Sequence, residues 1–400
     1  MFDKGPHDDL KELADWQREL REQFPIITGH PELVYLDSAA TSQKPQAVLD
    51  ATSAYLTTSN ANAGRGAYPW ANRTTAMVER TRQRVKDFLG DSDRERSGVH
   101  FASGTTEGLR SVARDWLTDQ LSDGDEILVP FADHRANLEP WLEAQRLLGQ
   151  RGITAHLRAL PYQAASGDYD HRALAGTVGP RTRFVAATHI HHVYGGDMNV
   201  HRIREAVGPD VPICLDAAQS IGHLPVSVTE LDVDFVVFSG HKALALPGSG
   251  AVWARNARGA QFRPGGWYGT PNTVAIAALE AALDWLHAAG TDRIARWTTA
   301  LTARITDRLR RLAPYEILGC QASLAADSTA QRRHGIVTFR HRRIPSDDLG
   351  FILFSHGFMV RADSLCQAGA DHHDGSVRVS VHVYNTAEEI DRLLTVLATL

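Results

Sequence analysis

The chain has 400 residues, of which 43% are hydrophobic and 22% charged, and its formal net charge is −5. This length favours two packed units, and the small charge without runs of like sign argues against a protein that binds nucleic acid or a membrane surface. No apolar run approaches the ~20 residues of a membrane helix and the N-terminus is polar and acidic, so we expect a cytoplasmic protein that acts on a small molecule.

The first predicted element is a helix at residues 9–23. From residue 98 to 255, short β-branched runs alternate with amphipathic stretches, as is typical of parallel strands joined by crossover helices. The predicted strands are 99–102, 126–130, 183–188, 211–215, 233–238 and 251–254. The predicted helices between them are 107–121, 137–148 and 201–207. This part of the chain is therefore predicted to be an α/β domain.

Residues 273–312 are rich in Ala, Leu and Arg and predict long helices that lead out of this domain. Beyond them we predict a strand at 335–340, a helix at 345–356, strands at 358–361 and 377–381, and a terminal helix from 387. The predicted division is a large domain at 31–275 and a smaller α+β domain formed by 1–30 and 276–400.

Polar clusters follow four of the predicted strands: SGTTEG at 103–108, ADHRAN at 132–137, LDAAQS at 215–220 and FSGHK at 238–242. Ligands bind at the carboxyl ends of strands in open α/β sheets, so we expect these clusters to share one pocket. The first cluster opens a helix, which fits either a phosphate cradle or an ordinary helix cap.

Two charged residues in these clusters indicate the chemistry. Asp216 ends an apolar run, where a carboxylate needs a positive partner such as a protonated pyridine nitrogen; the alternative is a cap of the next turn. Gln219, one turn later, could reach the same ligand. Lys242 is one of only five lysines among 42 basic residues. Buried at the strand end, its amine would be a nucleophile toward an aldehyde, whereas a surface lysine fits poorly with the apolar segment that follows.

Seven ordered stretches carry a resemblance that covers nearly the whole chain from Tyr35. They are YLDSAATSQKP, SGTTEG, ADHRANLEPW, LDAAQSIGHLPVSV, DVDFVVFSGHK, GTPNT and RVSVHVYNTAEEIDRL. In order and spacing they resemble class V, fold-type I enzymes that depend on pyridoxal 5'-phosphate (PLP), above all the group II cysteine desulfurases, also called selenocysteine lyases. The resemblance implies a mostly parallel seven-stranded sheet with a smaller α+β C-terminal domain, and cleavage of the carbon–sulfur bond of cysteine or a cysteine-derived amino acid.

The resemblance also implies how PLP is held. Lys242 would form the Schiff base and later move a proton at the substrate α carbon, while Asp216 keeps the pyridine nitrogen protonated. His134 would stack on the ring and transfer protons, and Gln219 would bond the phenolic oxygen. The residues implied around the phosphate are Thr105, Thr106, Ser239 and His241. Thr270 would reach the phosphate of a second subunit, which implies a homodimer with shared active sites.

On the substrate side, Arg378 matches the arginine that binds the substrate carboxylate. The other residues implied to contact substrate are Ala39, His192 and Arg361. Cys366 lies where desulfurases carry the thiol that attacks the substrate sulfur, becomes a persulfide and passes sulfur to an acceptor protein. The alternative for Cys366 is a small buried hydrophobe, which is what we expect of Cys214 and Cys320.

The chain departs from the family pattern at four places. Asp363-Ser364-Leu365 replaces a glycine and two histidines before the cysteine, and a carboxylate touching the thiol would disfavour the thiolate. His192 stands at the place of an asparagine, Gly64 replaces a histidine, and the segment between Lys242 and GTPNT is short. These departures suggest a repurposed relative.

Three alternatives stay open. One keeps PLP but changes the reaction to β-elimination, epimerisation, decarboxylation or transamination, with Cys366 as a bystander. Another is a metal hydrolase built on the histidines at 189–192 and the cluster at 371–374. We disfavour it and predict no metal ligand, because adjacent histidines in an extended segment point to opposite faces. The third is a catalytically silent scaffold that binds a sulfur-transfer partner.

Overall fold

The computed structural model describes residues 6–163, 166–256, 262, 270–320, 333–363, 365–367 and 375–400. In this part of the chain the strands are β1 Val34–Tyr35, β2 Ser97–Ala102, β3 Glu126–Val129, β4 His156–Ala159, β5 Tyr162–Gln163, β6 Asp168–Tyr169, β7 Thr182–Thr188, β8 Ile213–Asp216, β9 Phe235–Ser239, β10 Gly250–Arg255, β11 Tyr315–Ile317, β12 Ile336–His341, β13 Phe358–Met359, β14 Arg361–Asp363 and β15 Ser376–Ser380. The α-helices are α1 Pro6–Glu12, α2 Ala14–Arg21, α3 Pro25–Thr28, α4 Gln46–Thr58, α5 Pro69–Phe88, α6 Thr105–Asp115, α7 Glu139–Gln150, α8 His171–Thr177, α9 Val200–Val207, α10 Val228–Leu231, α11 Thr273–Ala289, α12 Thr291–Leu309, α13 Ser346–Ser355 and α14 Ala387–Leu397.

A seven-stranded sheet forms the centre of the molecule, in the order β2-β10-β9-β8-β7-β3-β4. All neighbours pair in parallel except β10, which is antiparallel to both β2 and β9. Strands β8 and β9 are buried along their whole length, as expected for parallel strands covered on both faces. The predicted α/β class and mostly parallel seven-stranded sheet are therefore confirmed.

Helices cover both faces of this sheet with apolar side chains. On one face α6 and α7 contribute Leu109 and Trp141 to a cluster that includes Phe184 of β7. Gly108 lets α6 approach the sheet, because a Cβ there would lie 2.4 Å from Val237 Cγ1. This close approach brings the first turn of α6 near the end of β9.

The prediction missed several elements. Strand β4 lies at the edge of the sheet and is largely exposed, so it lacks the apolar alternation by which strands are predicted. Helices α4 and α5 were not predicted, and the helix predicted at 9–23 is divided into α1 and α2 at Leu13.

A second, antiparallel sheet in the order β11-β12-β15-β14 has its own apolar cluster. Leu10 and Leu13 of the N-terminal region pack in this cluster with Trp297 of α12 and Phe339 of β12. The division of the chain into domains at 30/31 and 275/276 stays a prediction. None of the described helices combines the length and the apolar character needed to cross a membrane.

The segment after β1 joins the two sheets. β1 pairs in parallel with β13, and Asp37 forms a bridge with Ser380 at the end of β15. Farther along, the Ser42 amide donates to the main-chain oxygen of His241, in the short 3₁₀ turn Gly240–Lys242 after β9. Residues of the antiparallel sheet are thereby held over the carboxyl ends of the parallel strands.

Candidate active site

A cavity of about 260 Å³ lies at the carboxyl ends of β3, β7, β8 and β9. All of the predicted site residues except Cys366 and Thr270 line it. They are Ala39, Thr105, Thr106, His134, His192, Asp216, Gln219, Ser239, His241, Lys242, Arg361 and Arg378. The strand-end clusters therefore meet in one place, as predicted.

Asp216 is the last residue of β8 and is 7% exposed. Its Oδ1 accepts a hydrogen bond from the Ala218 amide at 2.9 Å. Burial raises the pKa of Asp216 to about 6, while this amide and the charge of Lys242 act in the opposite direction. The carboxylate is therefore poised to gain from a cation placed in the cavity.

Lys242 ends the 3₁₀ turn that follows β9. Burial lowers the pKa of its amine to about 8, and the positive charges of Arg378 and Arg361 add to the effect, while Asp216 opposes it. The uncharged amine, which is the form that attacks carbonyl carbon, is therefore far more populated near neutral pH than in an exposed lysine.

Ser239 and Thr105 meet where β9 ends and α6 begins. The Ser239 hydroxyl oxygen accepts from the Thr105 amide at 2.8 Å and lies 2.7 Å from Thr105 Oγ1. Thr106 and His241 line the same end of the cavity, and burial lowers the pKa of His241 to about 4. Hydroxyl groups beside the N-terminus of an eleven-residue helix form a suitable environment for an anion.

His134 begins the 3₁₀ turn after β3. Its Nδ1 accepts a hydrogen bond from the Ala136 amide at 3.1 Å, so in the neutral ring the proton is on Nε2. Burial, followed by the charge of Lys242, lowers the pKa of His134 to about 4. The imidazole is therefore neutral over the physiological range.

Gln219 and Ala39 are joined by a hydrogen bond of 2.9 Å from Gln219 Nε2 to the Ala39 main-chain oxygen. This bond links the turn after β8 to the segment after β1. The two predicted residues therefore lie side by side in the cavity wall.

Arg378, on β15, is 2% exposed. Its Nη1 donates to the His192 main-chain oxygen and its Nη2 to Asp37 Oδ1, both at 3.0 Å. Within the described residues its buried Nε has no hydrogen-bond partner. Asp37 was not singled out in the sequence, since only its place in the YLDSAATSQKP stretch marks it.

Cys366 is exposed, whereas Cys214 and Cys320 are buried as predicted. Arg361 Nη2 donates to Cys366 Sγ at 3.2 Å, and Arg361 Nε donates to the Asp363 carboxylate at 2.9 Å. The alternative of a buried, hydrophobic role for Cys366 is therefore wrong. The guanidinium lies between carboxylate and thiol, so the charge nearest the sulfur is positive.

The turn that carries Cys366 has an uncommon backbone. Leu365 and Cys366 have φ angles of 57° and 58°, the left-handed region, which costs roughly 1–2 kcal/mol for each non-glycine residue. The Leu365 amide donates to Asp363 Oδ1 at 2.6 Å, and Gln367 Nε2 donates to the Ala132 main-chain oxygen at 2.9 Å. Contacts on both sides thus stabilise the turn.

Asp133, His191 and His192 form a buried cluster beside the cavity, of which the sequence pattern singled out the histidines but not Asp133. Their candidate ligand atoms lie within 4.8 Å of one another, and His191 and His192 stack with ring centroids 5.1 Å apart. The expectation that these adjacent rings point to opposite faces is therefore wrong. A signal was available, because Asp133 belongs to the ADHRAN cluster that follows β3.

Hydrogen bonds to the main chain occupy both ring nitrogens of His191. Nδ1 accepts from the Val193 amide at 3.2 Å, and Nε2 lies 3.4 Å from the Ala132 carbonyl oxygen, to which it can only donate. A neutral imidazole in this arrangement has no lone pair left for a metal ion. The second predicted histidine cluster, 371–374, lies outside the described residues.

His192 Nδ1 lies 3.3 Å from Asp133 Oδ1 and its Nε2 3.1 Å from the Leu365 main-chain oxygen. Burial lowers the pKa of His192 to about 3, against the effect of the Asp133 carboxylate. The neutral ring has a single N–H, which on Nε2 donates to the Leu365 oxygen, while Nδ1, which faces Asp133, has no hydrogen-bond partner among the described residues.

Thr270 is exposed and does not line the cavity. Residues 257–261 and 263–269, which end the segment before GTPNT that departs from the family pattern and include the first residue of GTPNT, lie outside the described residues.

A larger cavity, of about 460 Å³, lies between α4, α5 and α11. Two of its charged groups pair with each other, with 3.0 Å between Arg80 Nε and Glu280 Oε1. It contains none of the strand-end clusters, so the smaller cavity is the candidate active site.

Comparison with known proteins supports this choice. The model of the family described as Aminotransferase class-V matches residues 34–393. A probable cysteine desulfurase from Vibrio cholerae is 32% identical over 408 residues, covering 94% of this chain and 96% of that protein. Another, from Mycolicibacterium paratuberculosis, is 33% identical over 406 residues; the match covers 94% of this chain and 57% of that protein.

Solved structures show the same architecture. The apo structure of a cysteine desulfurase from Thermococcus onnurineus NA1 matches with a TM-score of 0.82 at 26% identity, covering 96% of this chain and 97% of that one. An S-sulfonic acid form of a cysteine desulfurase from Escherichia coli matches with a TM-score of 0.79 at 27% identity, covering 96% and 98%.

Proposed function

This chain belongs to the class V aminotransferase family, and from that premise we propose that it is a cysteine desulfurase-like enzyme. It depends on PLP and cleaves the carbon–sulfur bond of L-cysteine or of a cysteine-derived amino acid. The observation that carries the proposal is the exposed Cys366 thiol, which accepts a hydrogen bond from Arg361. Arg361 lines the same cavity as Lys242 and Asp216. Relatives named cysteine desulfurases match almost the whole chain.

The cavity fits PLP at three points. The buried Asp216 carboxylate would hold the protonated pyridine nitrogen, and Lys242 would hold the cofactor covalently through its ε-amine. The hydroxyl groups of Ser239, Thr105 and Thr106 at the start of α6 would hold the phosphate. When bound, PLP supplies an electron sink for the bonds at the substrate α carbon.

The protein side chains would orient the substrate and move protons. The guanidinium of Arg378, with one buried nitrogen that lacks a partner, suits the substrate carboxylate. Lys242, with its lowered pKa, would take the proton from the α carbon and return it. His134 carries its proton on Nε2 and would donate a hydrogen bond from it to a group bound in the cavity.

Cys366 would accept the sulfur. Its thiolate attacks the sulfur of cysteine, the bond between that sulfur and the β carbon breaks, and a persulfide forms on Cys366. The β carbon keeps the electron pair of the broken bond and gains a proton, so that cysteine leaves as alanine. The step needs no external oxidant, and Arg361 would stabilise the thiolate.

The test is to incubate the PLP-loaded enzyme with L-cysteine and dithiothreitol and to measure alanine and sulfide. Equal amounts of both are expected, and Cys366→Ala should abolish them while keeping the visible absorption of PLP. Borohydride reduction should link PLP to Lys242, as peptide mass spectrometry would detect. Pyruvate and ammonia in place of alanine, or an active Cys366→Ala enzyme, would overturn the proposal in favour of β-elimination.

We further propose a homodimer in which Thr270, exposed in one subunit, reaches the cofactor phosphate of the other. Sedimentation velocity tests this assembly, and a monomer that retains full activity would contradict it. A sulfur-acceptor protein and a cytoplasmic location stay predictions.

A further inference from the structure

We propose that His192 is a positioning residue that holds the turn carrying Cys366 against the active-site cavity. This inference rests on the proposed function, in which that thiol receives sulfur. His192 Nε2 lies 3.1 Å from the Leu365 main-chain oxygen, and because a carbonyl oxygen only accepts, the imidazole is the donor. The bond connects the segment after β7 to the residue immediately before the thiol.

The turn needs such a contact because its backbone conformation is not a favoured one. Leu365 and Cys366 both have positive φ, which non-glycine residues adopt only where the surroundings hold them. A second main-chain contact to the turn, from the Arg135 amide to the Cys366 oxygen, measures 3.4 Å. Gln367 Nε2, 2.9 Å from the Ala132 oxygen, holds the other side of the turn, so His192 provides one of several contacts between the turn and the rest of the protein.

His192 is itself held firmly and touches groups with proposed roles. It is 4% exposed, and its ring lies edge-on to that of His134 with centroids 4.9 Å apart. The Asp133 carboxylate stands 3.3 Å behind its Nδ1, and its main-chain oxygen accepts from Arg378. A displacement of His192 would thus change the distance between the thiol and the substrate site.

Two of the departures from the family pattern meet in this contact. His192 replaces an asparagine, and Leu365 belongs to the segment that replaces a glycine and two histidines. An asparagine side chain is shorter than a histidine and from the same Cα would not reach the Leu365 oxygen. Because the acceptor is a main-chain oxygen, the residue type at 192 decides whether this bond to the turn can form.

The experiment measures the alkylation of Cys366 in the holoenzyme by iodoacetamide, followed by peptide mass spectrometry, together with kcat and KM for cysteine. In His192→Ala the turn loses one of its contacts, so alkylation should become about tenfold faster, the effect of one net hydrogen bond. We expect kcat for sulfide formation to fall by a similar factor and KM to change less than about twofold. His192→Gln keeps an N–H at nearly the same reach and should restore the wild-type rates.

His189→Gln is the matched control, since this histidine is equally buried on the same segment and is not in the cluster with Asp133. It should leave both measurements unchanged. If His192→Ala raises KM while Cys366 alkylates at the wild-type rate, His192 binds substrate and the proposal is overturned. If His192→Gln behaves like the alanine variant, the hydrogen bond is not the cause and the proposal likewise fails.

Alkylation does not depend on turnover, so the two proposals can fail separately. A wild-type enzyme that releases no alanine, but whose Cys366 becomes more reactive in His192→Ala, would refute the desulfurase function and support the role of His192 in holding the turn.

Discussion

Arg378 Nη2 donates to Asp37 Oδ1 at 3.0 Å, an ion pair that joins β15 of the antiparallel sheet to the segment after β1. Because Arg378 is 2% exposed, it depends on Asp37 and on the His192 main-chain oxygen to offset the loss of water. The arginine is thus held in one position, which would lower the entropy lost in the proposed binding of a substrate carboxylate.

Arg378→Lys should weaken substrate binding, because an ammonium cannot bond Asp37, His192 and a carboxylate in the fork geometry of a guanidinium. We expect KM for cysteine to rise ~10- to 100-fold, the effect of losing a charged hydrogen bond, with a smaller change in kcat. Arg304→Lys, which alters a surface pair with Asp391, is the control and should leave KM unchanged. An unaltered KM in Arg378→Lys would show that another group binds the carboxylate.

Incorporation of PLP into the apoenzyme should depend on the ionisation of Lys242. Only the unprotonated amine reacts, and its pKa is lowered from 10.5 to about 8 by burial. The rate, followed by visible absorption, should therefore rise with pH and level off above about pH 8, whereas free lysine continues to gain reactivity beyond pH 10. If the rate of PLP incorporation reached half its maximum only near pH 10.5, the amine of Lys242 would not be buried.

Asp216→Asn tests the direction in which the Asp216 carboxylate shifts the pKa of Lys242. The Asp216 carboxylate favours the ammonium form of Lys242 and so raises its pKa. Without this charge the midpoint should move to a lower pH than in the wild-type enzyme. A shift to higher pH would mean that Asp216 and Lys242 do not interact as the structure indicates.

Ser239→Ala should loosen the phosphate end of the site. The substitution removes the oxygen that accepts from the Thr105 amide at 2.8 Å, and with it a hydroxyl group that lines the cavity. We expect the dissociation constant for PLP to rise about tenfold in an absorption titration of the apoenzyme. Ser111→Ala is the control. Ser111 lies on α6, the helix that begins at Thr105, and its hydroxyl donates to the Gly108 main-chain oxygen, so its loss should leave PLP affinity as in the wild type.

Arg204 provides a test of stability away from the site. Its Nη2 lies 2.7 Å from Asp234 Oδ2, and both side chains are almost fully buried. Arg204→Met leaves the carboxylate buried without its partner and should lower the free energy of unfolding by ~3–5 kcal/mol in urea titrations. The exposed ion pair between Arg304 and Asp391 offers the matched control. Arg304→Met should lower the free energy of unfolding by less than ~1 kcal/mol. Equal losses in the two variants would contradict the buried pairing.

Local sequence patterns were enough to predict most of the central sheet. Each of the six predicted strands overlaps a strand of the structure, β2, β3, β7, β8, β9 and β10. Buried parallel strands are continuous apolar runs, which a reader of the sequence can recognise without knowing the fold. The edge strand β4 was missed because exposure removes that pattern.

The sequence by itself determined that polar residues such as Asp216 and Lys242 would converge, because one lies at the end of a buried strand and the other just beyond the next, and parallel strands end at one edge. Only the tertiary structure decided which side chains touch. His192 and Leu365 are 173 residues apart, and Arg378 and Asp37 are 341 apart. Such contacts depend on how the two sheets pack against each other, and no local periodicity encodes that packing.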